Sequence, residues 1–162
     1  MSRTFRPVVT MRLCQIVSNS SLTFFLPLFQ VLHSLATHIA GIDMSWRTHI
    51  GPGFAIFHGR GIVINTKSTI GKNVTMLHGI TIGQRDRIAP DGARTTEYPV
   101  IEDSVFIGPN AIIIGGIRIG KGSRIAGGAF ITQNIPPQSV VGGNPAVILK
   151  SNCTPDIVNP VE

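Results

Sequence analysis

Isoleucine recurs at a spacing of six residues along most of this chain. It stands at Ile50, Ile56 and Ile62, at Ile70 and Ile82 with Met76 between them, and at Ile101, Ile107, Ile113, Ile119, Ile125 and Ile131. The position that follows is usually small or polar, as at Gly51, Gly71, Gly83, Glu102, Gly108, Gly120 and Ala126. An amphipathic helix repeats its apolar residues about every 3.6 positions and a half-buried strand about every 2, so neither produces this pattern. A parallel β-helix does. Each six-residue unit supplies one short strand and a corner, and its apolar residue points into the coil.

Three units close one turn, so the repeats lay out as about four coils. Ile50, Ile70, Ile101 and Ile119 are expected in one column, Ile56, Met76, Ile107 and Ile125 in the next, and Ile62, Ile82, Ile113 and Ile131 in the third. Between the first two coils the step is longer by two, which predicts a small bulge near Asn65. Residues 84–100 break the period with a polar, turn-forming composition and read as a loop leaving a corner, a natural place for function on a rigid scaffold. Pro136-Pro137 marks the expected end of the regular repeats. The organisation is therefore an N-terminal helical segment (1–41), the β-helix (42–135) and a C-terminal tail (136–162).

The N-terminal segment lacks the six-residue period. Arg3, Arg6 and Arg12 precede an uncharged apolar stretch at 22–40. The polar run Ser18-Asn19-Ser20-Ser21 separates the two and no cleavage site follows, which argues against a signal peptide. Pro27, His33 and His38 argue against a membrane span. One or two helices packed on the end of the solenoid are expected, with peripheral contact at the inner membrane face as the second reading. The formal charge of +6 reads either as a plain basic surface or as attraction to a polyanion. Nucleic acid is not expected, because no basic helix or basic-aromatic sheet motif is present. Cys14 and Cys153 lie outside the repeats in no metal-binding spacing, as in a cytoplasmic protein without a disulfide framework.

His58 and His78 each follow an inward residue, Ile56 and Met76, by two positions. That phase predicts two histidines stacked one coil apart, about 4.8 Å between strands. Three readings are open on residues alone: polar surface, a metal site, or acid/base chemistry. His49 sits at another phase, which leaves no third ligand, and no metal is expected. Gly108, Ala126 and Gly127 belong to a small-residue zone that lets a ligand approach backbone. Lys121, Arg124 and Lys150 read equally as solvated surface or as partners for a ligand's phosphates.

Residues 41–150 resemble the serine O-acetyltransferase-like branch of the hexapeptide-repeat acyltransferases. The resemblance rests on Ile42-Asp43, His58-Gly59-Arg60-Gly61-Ile62-Val63-Ile64, Leu77-His78-Gly79-Ile80-Thr81-Ile82-Gly83, Ile107-Gly108-Pro109-Asn110-Ala111 and Gly143-Asn144-Pro145-Ala146. It implies a homotrimer of left-handed β-helices that binds acetyl-CoA between neighbouring subunits. It implies His58 as the general base that takes the acceptor's proton during attack on the thioester. Asp43 would orient His58, and His78 would support the site. Ala126, Gly127, Asn144 and Pro145 would line the coenzyme groove.

The resemblance breaks at two places. Serine acetyltransferases carry Asp where this chain has Phe57, and an Arg-His pair where it has Glu97-Tyr98 before Pro99. An anion and a phenol remove the natural partner of an amino-acid carboxylate. The expected acceptor is accordingly a saccharide hydroxyl, as in the shorter exopolysaccharide and capsule (colanic-acid-type) O-acetyltransferases, with Phe57 and Tyr98 against the sugar face. Arg85, Asp86 and Glu97 would hydrogen-bond its hydroxyls. The alternative acceptor is serine, in cysteine biosynthesis.

Overall fold

A computed structural model describes residues 3–161. The chain opens with α1 (Phe5–Ser18) and, after a short 3-10 turn, α2 (Leu26–Ala40). Gly41 ends α2 in the left-handed conformation at φ 69°, which leaves the chain free to turn sharply into β1 (Ile42–Met44). Coil one holds β2 (His49–Ile50), β3 (Ala55–Ile56) and β4 (Ile62–Ile64). Coil two holds β5 (Thr69–Ile70), β6 (Thr75–Met76) and β7 (Thr81–Gly83), followed by a hairpin of β8 (Arg85–Ile88) and β9 (Arg94–Glu97). Coil three holds β10 (Val100–Ile101), β11 (Phe106–Ile107) and β12 (Ile112–Ile114); coil four holds β13 (Arg118–Ile119), β14 (Arg124–Ile125) and β15 (Phe130–Ile131). β16 (Val140–Gly142) and β17 (Val147–Lys150) complete the top.

The strands stack into three faces of a prism, all in parallel register except β17, which runs antiparallel to β16. Face one runs β2-β5-β10-β13, face two β3-β6-β11-β14-β16-β17, and face three β1-β4-β7-β12-β15. The first two isoleucine columns form as the six-residue spacing predicts, with Ile70, Met76, Ile107, Ile119 and Ile125 sealed from solvent. The core is this axial stack, and few rings enter it.

Three features differ from the sequence expectation. Ile135 bridges Ile119, and β16 pairs with β14 through Arg124–Val140 and Ile125–Val141. The solenoid thus continues past Pro136-Pro137 into a fifth coil. In the third column Ile64, not Ile62, aligns with Ile82, while Ile62 pairs with Ile42. Both isoleucines are inward and buried. The spacing from Ile64 to Ile70 is therefore regular, and the two extra residues lie before Ile62 rather than near Asn65.

The helices cap the first coil through specific bonds. Thr10 donates its hydroxyl to His33 Nδ1 at 3.0 Å, and His33 Nε2–H donates to the Met44 carbonyl at 2.9 Å. A carbonyl only accepts, so Nε2 carries the proton. Arg12 donates to the Gly51 carbonyl at 2.6 Å, and Gln15 to that of Trp46 at 2.9 Å. These contacts fix which face of α2 turns inward and which turns out.

Candidate active site

The corner between faces two and three repeats a simple rule. A left-handed residue closes each turn: Gly61 (φ 71°), Gly79 (69°), Asn110 (58°) and Gly128 (69°). Its N–H donates to the coil below, as in Gly79 to Arg60, Asn110 to His78 and Gly128 to Pro109. One step earlier, Phe57 donates to Met76, Leu77 to Ile107 and Gly108 to Ile125. Phe57 thus stacks on Leu77, and Arg60 on His78. The residues left over are His58 and Gly59.

They are the two extra residues, and they form a bulge at this corner in the first coil. His58 takes φ 54°, an uncommon conformation for a residue with a Cβ, and is exposed. The expected stacking of His58 on His78 does not occur, because the bulge pushes His58 out of the ladder and leaves Arg60 in the stacked position. His58 lies between two cavities. One, of about 420 Å³, is shared with Arg3, Thr4 and Arg60. The other, of about 340 Å³, reaches Phe5, Phe54 and Asn159.

Asp43 is exposed on β1 and lines a different cavity, with Asn65 and Gln84. Among the described residues no hydrogen bond links its carboxylate to His58. His78 is half-buried, and its Nδ1 is sealed from solvent without a partner. Buried polar nitrogens in that state are rare in native structures and point to a missing partner.

The small-residue positions do meet. Gly108 and Ala126 continue the Phe57-Leu77 column, Gly127 stacks above Pro109, and the cis Asn144-Pro145 turn lies at the top of the same corner. Gly108 has a packing reason of its own: a Cβ there would come within 2.7 Å of the Gly127 nitrogen. The three cations do not converge on this corner. Lys121 lies at the corner between faces one and two, beside Glu102. Arg124 lies on face two, paired with Asp156 at 2.6 Å and stacked on Phe106. Lys150 ends β17, opposite Val140.

The expected loop at 84–100 is an antiparallel hairpin. Arg85 and Arg87 flank Glu97 at 3.6 and 3.2 Å, Arg94 pairs with Asp86 at 3.5 Å, and Thr96 donates to Asp86 at 2.8 Å. Lys67 sits over the Tyr98 ring. Arg85 Nε is buried without a partner. The hairpin leaves the corner between faces three and one, so Arg85, Asp86, Glu97 and Tyr98 sit across face three from Phe57 and His58. Sequence reasoning missed Arg60, Arg87 and Arg94. Counting the eight positions from Ile56 to Ile64, against six from Met76 to Ile82, would have exposed the bulge and Arg60 with it.

Residues 98–133 match the bacterial transferase hexapeptide (six repeats) family. The serine acetyltransferase 2 of Arabidopsis thaliana is 34% identical over 119 residues, which cover 74% of this chain and 35% of the relative. Soybean serine acetyltransferase in complex with serine superimposes with a TM-score of 0.74 at 30% identity, covering 91% of this chain and 57% of that one. Serine acetyltransferase of Brucella abortus in complex with coenzyme A gives 0.74 at 27% identity, covering 94% and 58%. The repeat and the fold are those of hexapeptide-repeat transferases. It spans about a third of the Arabidopsis relative's length and somewhat over half of the solved chains.

These relatives overturn the saccharide acceptor and the exopolysaccharide affinity expected from Phe57 and Glu97-Tyr98. The structure supplies a physical reason for the error. Glu97 is neutralised by Arg85 and Arg87, so replacing an Arg-His pair by Glu-Tyr does not leave the hairpin without cations. Arg85 and Arg87 supply them from ten and twelve positions upstream of Glu97, on the facing strand.

Proposed function

We propose that the chain transfers the acetyl group of acetyl-CoA to the hydroxyl of L-serine. His58 is the general base. The observation that carries this reading is the two-residue bulge, which lifts one histidine out of an otherwise unbroken ladder, at the corner where Gly108, Ala126 and Gly127 leave room for a pantetheine arm. Serine acetyltransferase relatives that hold coenzyme A and serine support the choice of both substrates.

In this mechanism His58 accepts the serine hydroxyl proton as the oxygen attacks the thioester carbon. Collapse of the tetrahedral adduct breaks the C–S bond, and the imidazolium returns its proton to the departing sulfur. O-acetylserine and coenzyme A leave with the histidine neutral again. Asp43 is the only acid in residues 1–85, hence the one carboxylate that the first two coils offer to orient the ring. His78, at the same corner in the second coil, is the supporting group. Asn144 and Pro145 extend the coenzyme groove beyond Gly127.

The working unit is a homotrimer. His58 and the hairpin stand on opposite edges of face three, so Arg85 reaches a serine carboxylate at His58 only across a boundary between copies. The test is release of coenzyme A from acetyl-CoA, with and without L-serine. Serine should stimulate release strongly, and His58→Ala should lower turnover by roughly 100-fold or more with the melting temperature unchanged. Serine-independent release, or a His58→Ala protein with near-normal turnover, would sink the proposal.

A further inference from the structure

The outward face of α2 has no role in the acetyl-transfer proposal. Phe24 is 86% exposed, and Phe25, Leu28, Val31, Leu35 and Ile39 are each about half exposed. They follow the i, i+3, i+4, i+7 spacing of one helical stripe. The opposite side of α2 is pinned to α1 and β1 through His33, so this apolar face cannot roll inward. It exceeds the scattered apolar residues that a monomeric surface normally tolerates.

Charge indicates what covers it. No charged residue occurs in 13–42. Eight of the fourteen lysines and arginines but one of the eight acids lie in residues 1–85, so the chain's positive charge is concentrated in the half that carries the apolar face. Arg3 donates to the Ile39 carbonyl at 3.0 Å, which places a cation beside the far end of the stripe, and exposed Arg6 follows on α1. Two copies pairing through this face would bring Arg3 and Arg6 of both to one seam, and residues 1–85 offer only Asp43 to offset them.

We propose that α2 and the turn before it form a docking surface for a bilayer rich in anionic lipid. The phenylalanines and leucines enter the interfacial layer, and Arg3 and Arg6 meet the headgroups. The helix lies in the plane of the membrane and does not cross it. Thr23–Ala40 is long and apolar enough to cross, with a mean hydropathy of 1.2, but the inner side of α2 is bonded to α1 and β1 through His33, which holds the helix along the end of the solenoid.

The experiment floats the full chain with vesicles of equal parts phosphatidylglycerol and phosphatidylcholine, and with phosphatidylcholine alone. The wild type should float with the anionic vesicles and lose binding in high salt. Arg6→Gln should weaken partitioning about fivefold, and Phe24→Ser with Leu28→Ser by about tenfold or more. Circular dichroism should show both variants folded, since each altered side chain is exposed. The proposal fails if the wild type stays in the soluble fraction, if neutral vesicles bind it equally well, or if the double variant floats like the wild type. It also fails if the wild type does not float and the double variant has a smaller mass in solution, because the face then joins copies of the chain.

Discussion

His58 is conspicuous for backbone reasons. A residue with a Cβ at φ 54° costs free energy that the regular ladder elsewhere on this corner mostly assigns to glycine. Asp43 lines a different cavity, and among the described residues no hydrogen bond or ion pair is recorded for either side chain. Asp43→Asn should therefore lower turnover by roughly 100-fold while leaving the melting temperature alone, if it orients the base as proposed. A steady-state assay beside a thermal melt checks both halves of that statement. Glu102 offers a pH test away from the site. The Arg118 side chain, 2.8 Å away, and then the Lys121 N–H, hold its carboxyl below the usual range. A carboxylate depressed in the folded state stabilises at pH above its unfolded value, about 4.3, and loses that contribution as pH falls through the lowered folded value. The melting-temperature gap between wild type and Glu102→Gln should hold steady from neutral pH to about 5 and close at lower pH.

At the scale of elements, the bulge and the hairpin are the two departures from an otherwise uniform solenoid. Deleting His58 and Gly59 together should join Phe57 to Arg60 and restore the regular corner seen in coils two to four. The protein should stay folded, with a melting temperature near that of the wild type, and should transfer no acetyl group. Loss of folding would mean that the bulge is needed to dock the helices, as Gly59 packs close to Thr4 and Ile42. The hairpin was legible only as an interruption. Its alternation of charge and Thr across Arg85–Glu97, Asp86–Thr96 and Arg87–Thr95 becomes meaningful once the strands face each other. Ion pairs between strands depend on register, and the Pro90-Asp91-Gly92 turn sets that register rather than any single residue.

At the scale of the molecule, the C-terminal tail runs back down the prism. Cys153 N–H donates to Gln138 in the fifth coil, Asp156 pairs with Arg124 in the fourth, and Asn73 in the second coil exchanges two bonds with the backbone of Val161. The tail thus ties the ends of a stack whose coils otherwise touch only their neighbours. Assembly is the remaining global property. Light scattering should give about three times the 17.4 kDa chain mass, and a monomer that retains full activity would contradict a site shared between copies.

The parallel β-helix and its first two inward columns could be read from one dimension, because a short-period repeat buries the same residue type at the same phase in every coil. Apolar period and glycine placement are local, and local patterns survive in sequence. The location of the two-residue insertion was not local. Ile62 and Ile64 are both inward, so only the hydrogen-bonded register with β1 and β7 shows that the slip falls at His58 and not at Asn65. The fifth coil was hidden for the same reason, since Ile135 and Val141 join the stack by pairing with strands far behind them. The acceptor was misread because Glu97 was judged without Arg85 and Arg87, whose charges reach it across a hairpin. What tertiary structure decided, in each case, was which side chains separated in sequence share one ladder or one ion pair.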